Sequence, residues 1–217
     1  MEISIPLLLG WLLGLFTRSL SSAVDFVLRG SVFRIEFNGD EKEYRLPVRI
    51  PVDLPRKEFF EAIYVRVKIV CDRHWWQIWP VKSLTACRGF LIGVESRNPD
   101  TGEFESVGFY DSVPLLWSYL SKDDAVSGIT IPEGVHQYLD VISTQENRPD
   151  FDPRTTTWPQ VYRLMFDPKA NLKGREADFA LKLTLLVTTA NNRGKQISLV
   201  AEWNGGWNQI KVYRWKP

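Results

Sequence analysis

Histidine and cysteine are scarce in this chain of 217 residues, which carries two of each: His74 and His136, Cys71 and Cys87. Two cysteines are too few for the disulfide framework of a small secreted domain, and a chain of this length needs no such staple, so both thiols are expected reduced. With two histidines, acid–base chemistry would fall to carboxylates, and those lie scattered through turn-like stretches. There is no glycine-rich phosphate loop, no H-E-x-x-H and no G-x-S-x-G. Net charge is nearly missing too: the formal value is +1, so no overall field recruits nucleic acid, which is not the default partner. No disorder-prone tail or linker stands out. These absences point to a protein that is not an enzyme and uses no cofactor.

One metal constellation is conceivable. Cys71-x-x-His74 has the spacing of half a zinc site, which Cys87 and His136 would complete. Against it stands a plainer reading, a strand cysteine packed as a small hydrophobe beside a loop histidine, and on that reading no metal is expected. Asp123-Asp124 and Asp40-Glu41 read as solvated loop charges.

What the chain does have is an apolar beginning. From residue 3 to residue 17 there is no charge, and the run is apolar on every helical face rather than on one stripe, so a helix here must be buried in lipid or protein. Pro6 suits a first helical turn and Gly30 the position just past the end, which delimits a hydrophobic helix within residues 1–30 and a second domain over residues 31–217. The charge-free run falls short of the roughly 20 residues that span a bilayer at about 1.5 Å each, so Arg18 would have to snorkel. Phe16, Leu20 and Val24 then continue an apolar stripe at helical spacing, with charged and polar residues off it.

Three fates compete for this segment. A secretory signal peptide carries its positive charge ahead of the apolar run, whereas here Arg18 and Arg29 follow it, although Ser21-Ser22-Ala23 resembles a cleavage site. A single-pass anchor with arginines on its C-terminal flank places that flank in the cytoplasm. The third possibility is a helix docked on its own domain or on a partner. The leading expectation is the anchor. Gly10 and Gly14, around Trp11, form a G-x-x-x-G that lets two apolar helices approach closely, and with Phe16, Leu20 and Val24 it suggests a homo-oligomer.

After Gly30 the alternation has a period of two and is punctuated by turn residues, the mark of β-structure. Residues 32–37 and 44–50 flank Asn38-Gly39-Asp40 and are expected to pair as a hairpin. Ile63, Val65, Val67 and Ile69 alternate with Tyr64, Arg66 and Lys68, which predicts a strand with one core face and one wet face. Further strands are expected over 87–95, 104–110, 135–143, 162–166, 177–189, 196–203 and 211–215, with 113–120 either a strand or a buried crossing segment and 144–157 a surface loop. Helix should be scarce after Gly30. The fold expected is all-β: two packed antiparallel sheets, an immunoglobulin-like β-sandwich behind one hydrophobic helix.

The stretches YVRVKIVCDRHWW, CRGFLIGVE and ITIPEGVHQYLDVI, in that order, resemble the strand sequence of bacterial immunoglobulin-like modules of the cell-adhesion-related type. The resemblance covers roughly residues 60–205 and is one of fold, and Cys71 stands where such modules often have Asn. Since such modules serve adhesion, scaffolding and sensing alike, the resemblance implies a fold and no particular activity.

Tryptophan is plentiful, with nine residues, and three crowd into one connection between strands, Arg73-His74-Trp75-Trp76-Gln77-Ile78-Trp79-Pro80-Val81-Lys82. Neighbouring side chains of an extended segment point to opposite faces, so Trp75 and Trp76 cannot both point inward and one should be exposed. Arg73, His74, Trp75, Trp76, Trp79 and Lys82 are therefore the candidate binding loop, for lipid headgroups or for an unknown protein or small ligand. The competing reading buries all three indoles as core. The function expected is that of a membrane-anchored binding or sensor module facing the cytoplasm. The alternatives are an extracytoplasmic adhesion module and an oligomerising membrane effector of a bacterial defence system.

Overall fold

A computed structural model describes residues 32–51, 59–73, 75, 82–107, 112–120, 122–145, 162–164, 179–203 and 208–216. The expected helix within residues 1–30 lies outside them, as do His74, Trp76, Trp79 and most of the expected 144–157 loop. Among the described residues no helix is long and apolar enough to cross a membrane.

The alternating segments form two sheets. One contains β1 (Val32–Glu36), β2 (Arg45–Pro51), β3 (Phe59–Asp72), β7 (Leu116–Trp117), β9 (His136–Gln145) and β10 (Tyr162–Leu164). The other contains β4 (Leu84–Arg97), β5 (Phe104–Ser106), β6 (Val113–Pro114), β8 (Ile129–Ile131), β11 (Phe179–Thr188), β12 (Lys195–Trp203) and β13 (Lys211–Arg214). Both are antiparallel apart from one parallel pair, β9 with β10. They share one core. Val65, Val67 and Ile69 of β3 and Leu139 and Val141 of β9 meet Leu91 and Val94 of β4, Leu183 and Leu185 of β11 and Leu199 of β12. Every second residue of β11 from Leu181 to Val187 is buried, which is what a period of two produces when one face is core. Among the described residues helix is limited to α1 (Lys122–Ser127) and one 3-10 turn, Lys42–Tyr44.

Four expectations need correction or completion. β1 and β2 are not a hairpin. Both run antiparallel to β3, β1 along its residues 68–72 and β2 along 59–65, so they are two lengths of one edge strand separated by an excursion. In that excursion Asn38 accepts from the Asp40 amide at 3.3 Å through its side chain and from the Glu41 amide at 3.2 Å through its carbonyl, a tight local turn that does not reverse the strand. The outer face of β3 is not uniformly wet: the excursion folds over it, burying Tyr44 and leaving Arg66 only 8% exposed. Residues 113–117 are both things at once, pairing with β4 as β6 and then with β9 as β7, so the chain crosses from sheet to sheet. Finally β10, expected as one more antiparallel strand, runs parallel to β9. Its long connection from β9 makes a parallel return feasible.

A bulge interrupts the pairing of β3 with β9. Val65 faces Ile142 but Arg66 faces Asp140, so β9 gains one residue there. As a result the consecutive residues Val141 and Ile142 are both fully buried, and Asp140 is set opposite Arg66 on the outer face.

Candidate functional site

Of the residues singled out by sequence, Gly10, Trp11, Gly14, Phe16, Leu20 and Val24 lie outside the described part, together with His74, Trp76 and Trp79. Arg73, Trp75 and Lys82 are described. Trp75 is 96% exposed, Arg73 stands 3.7 Å from Glu133, and Lys82 is exposed with its carbonyl 3.9 Å from the Cys71 thiol.

These residues sit at one end of the sandwich. There the 132–135 turn docks on the end of β3, with the Gly134 amide donating to the Cys71 carbonyl at 2.9 Å and the Cys71 amide donating to the Val135 carbonyl at 3.3 Å. The Asn191 side chain ties the β11–β12 turn to the start of β4, donating to the Ser83 carbonyl at 2.7 Å and accepting from the Thr85 amide at 3.2 Å. Lys195 Nζ donates to the carbonyl of Phe33, which joins the start of β1 to the same end. β7 leads here as well, and past it Tyr119 adopts a φ of 67° and stands 83% exposed. Leu120, Val126 of α1 and Val135 add exposed aliphatic surface. A positive φ is uncommon for a residue other than glycine.

A second cluster occupies the outer face of the first sheet, and sequence reasoning did not find it. The Arg66 guanidinium lies 4.0 Å from the centre of the Tyr138 ring, and its Nε donates to the Glu43 carbonyl at 2.5 Å. Tyr138 donates its hydroxyl to Glu43 Oε2 at 3.0 Å, while Lys68 Nζ lies 3.4 Å from Oε1. Tyr44 and His136 meet the Tyr138 ring edge-on at 6.4 and 5.3 Å. Beside them Ser118 Oγ donates to Asp140 Oδ1 at 2.5 Å. Burial pushes the Asp140 carboxyl up to about 6, against the opposing pull of the Ser118 hydroxyl and of Arg66. Burial also acts to raise Glu43, but the hydrogen bond from Tyr138 and the charge of Lys68 outweigh it, so its carboxyl ends below its ordinary value. The Tyr138 phenol is raised by burial and by the Glu43 carboxylate. The sequence signal is partial: Arg66 and Lys68 stand among apolar residues in β3, whereas Asp140 lies in a β9 that is itself rich in polar residues. Its assembly depends on a bulge that no periodicity announces.

Chemically this is a clamp. Arginine, tyrosine and glutamate are spent on holding the 38–44 excursion to β3 and β9, and beside them the Ser118 hydroxyl is spent on Asp140. Cys71 and Cys87 lie fully buried in the core. Burial and the neighbouring Cys71 push the Cys87 thiol up to about 12, which keeps it protonated and unreactive at neutral pH. Among the described residues no group of three or more His, Cys, Asp or Glu side chains is placed to hold a metal. No protein-family model, curated protein or solved structure matches the chain.

Proposed function

We propose that this protein is a membrane-anchored, non-enzymatic binding module, in which residues 1–30 form a single-pass helix and the β-sandwich, with an immunoglobulin-like topology, engages a partner on the cytoplasmic side. The observation that carries this reading is the charge-free run of residues 3–17, apolar on all sides and joined to the sandwich at the start of β1. Arg18 and Arg29 on its C-terminal flank favour a cytoplasmic domain.

The test is solubility. The full chain should require detergent and float with liposomes, whereas a chain starting at Ser31 should do neither; a full chain that stays in the aqueous fraction overturns the anchor. Protease accessibility in spheroplasts separates the cytoplasmic domain from an extracytoplasmic adhesion module. Self-association follows from Gly10 and Gly14: Gly10→Ile with Gly14→Ile should lower the oligomer order in detergent, and an unchanged mass by light scattering removes the G-x-x-x-G contact.

A further inference from the structure

Among the described residues the large exposed hydrophobic side chains are unevenly distributed. Trp75, Tyr119, Leu120, Val126 and Val135 all lie toward the end of the sandwich where β1 begins, and Val107 is elsewhere. The same end receives the chain from residues 1–31, because Val32, the first residue of β1, pairs with Asp72, the last of β3. We infer that this end of the domain is a membrane-contact surface that rests in the headgroup layer of a lipid bilayer, with Trp75 and Tyr119 as its interfacial aromatics.

Two candidates would cover such a surface, the chain's own apolar segment or lipid. The run of residues 3–17 is apolar around its whole circumference as a helix. One end of a sandwich offers cover to a single side of a helix and leaves the other sides in water, whereas a bilayer buries all of them. Lipid therefore takes the apolar run, and the end that carries the tether is drawn to the interface. The side chains found there suit that level. Indole and phenol rings pair an apolar body with a polar tip and collect where hydrocarbon meets headgroup. Val126 and Leu120 are set to dip in as aliphatic contacts. The charges at this end are mixed, Arg73 beside Glu133 at 3.7 Å and Asp123 and Asp124 in the first turn of α1, so contact through apolar and aromatic groups needs no anionic lipid.

This inference rests on the anchored reading, and one experiment separates the two. Because Cys71 and Cys87 are fully buried, a thiol-reactive fluorophore on the folded full chain goes to an introduced cysteine. Trp75→Cys and Val126→Cys place it at the proposed surface. Thr101→Cys places it in the 98–103 turn at the opposite end of β4. The labelled chains are reconstituted in phosphatidylcholine vesicles whose acyl chains carry bromine close to the headgroup. Fluorescence at positions 75 and 126 should be quenched severalfold more than at 101, with little dependence on salt. Equal, weak quenching at all three positions in a chain that floats with the vesicles overturns the contact surface and leaves the anchor standing. A blue-shifted but unquenched label at 126 shows the apolar segment folded over this end, which also overturns it. A chain that fails to float removes both readings.

Discussion

Replacing Asp140 by Asn should change the pH dependence of stability in a defined direction. The carboxyl rises from an ordinary 3.8 to about 6 on folding, because burial beside β7 penalises its charged form more than Ser118 and Arg66 favour it. Below pH 3.8 the group is protonated in both the folded and the unfolded chain and has no effect. Between 3.8 and about 6 the folded chain holds the extra proton, so stability falls as pH rises through that window, and above it the folded state bears the whole penalty. A shift of this size corresponds to about 3 kcal/mol at about 1.4 kcal/mol per unit. Asparagine at 140 still offers an oxygen to the Ser118 hydroxyl but has no charge to desolvate. The difference in unfolding free energy between Asp140→Asn and wild type should therefore shift in favour of the variant by roughly 2 kcal/mol between about pH 4 and about pH 7. Urea denaturation followed by circular dichroism at several pH values reads this difference, and the titration of every other group cancels in it. A difference that stays constant across this range would falsify the assignment of a buried, charge-penalised carboxyl on the outer face of the first sheet.

Two further substitutions test the core. A Cβ at Gly89 would lie 2.2 Å from Leu139 Cδ2 on the facing sheet, and Leu139 is fully buried with little room to yield, so Gly89→Ala should destabilise by about 1–3 kcal/mol. Trimming Leu139 to Val in the same chain should recover part of that loss, and a melting temperature unaltered by Gly89→Ala refutes the close approach of the sheets. Thr144 is fully buried, and its hydroxyl has no hydrogen-bond partner among the described residues. Thr144→Val replaces it with a methyl and should raise stability by about 1 kcal/mol, whereas a drop in urea midpoint would mean that the hydroxyl is bonded.

The arrangement into strands was legible without coordinates, because burial on one face imposes its period directly on the residues. Ile63, Val65, Val67 and Ile69, and Leu181, Leu183 and Leu185, declare their strands. Asn98, Gly102 and Asn191 declare turns by their backbone preferences, and the β4–β5 and β11–β12 pairings follow from them. Such signals are local. Which strand a segment pairs with is not, and there the reading from sequence failed: residues 32–37 and 44–50 look like partners across Asn38-Gly39-Asp40, yet both bond to β3. Only the folded arrangement lets Phe37 and Tyr44 pack edge to face at 5.5 Å, with Tyr44 buried against the outer side of that sheet. The same holds for the clamp. Arg66 and Asp140 are 74 positions apart, and Arg66 reads from the sequence as a solvent-facing charge; a one-residue bulge sets the two opposite each other, and the overlying loop covers Arg66. The apolar run of residues 3–17 demands burial on composition alone. That the exposed rings of Trp75 and Tyr119 share the end of the sandwich where that run is attached was decided by tertiary structure, because it depends on where strands from separate parts of the chain begin and end.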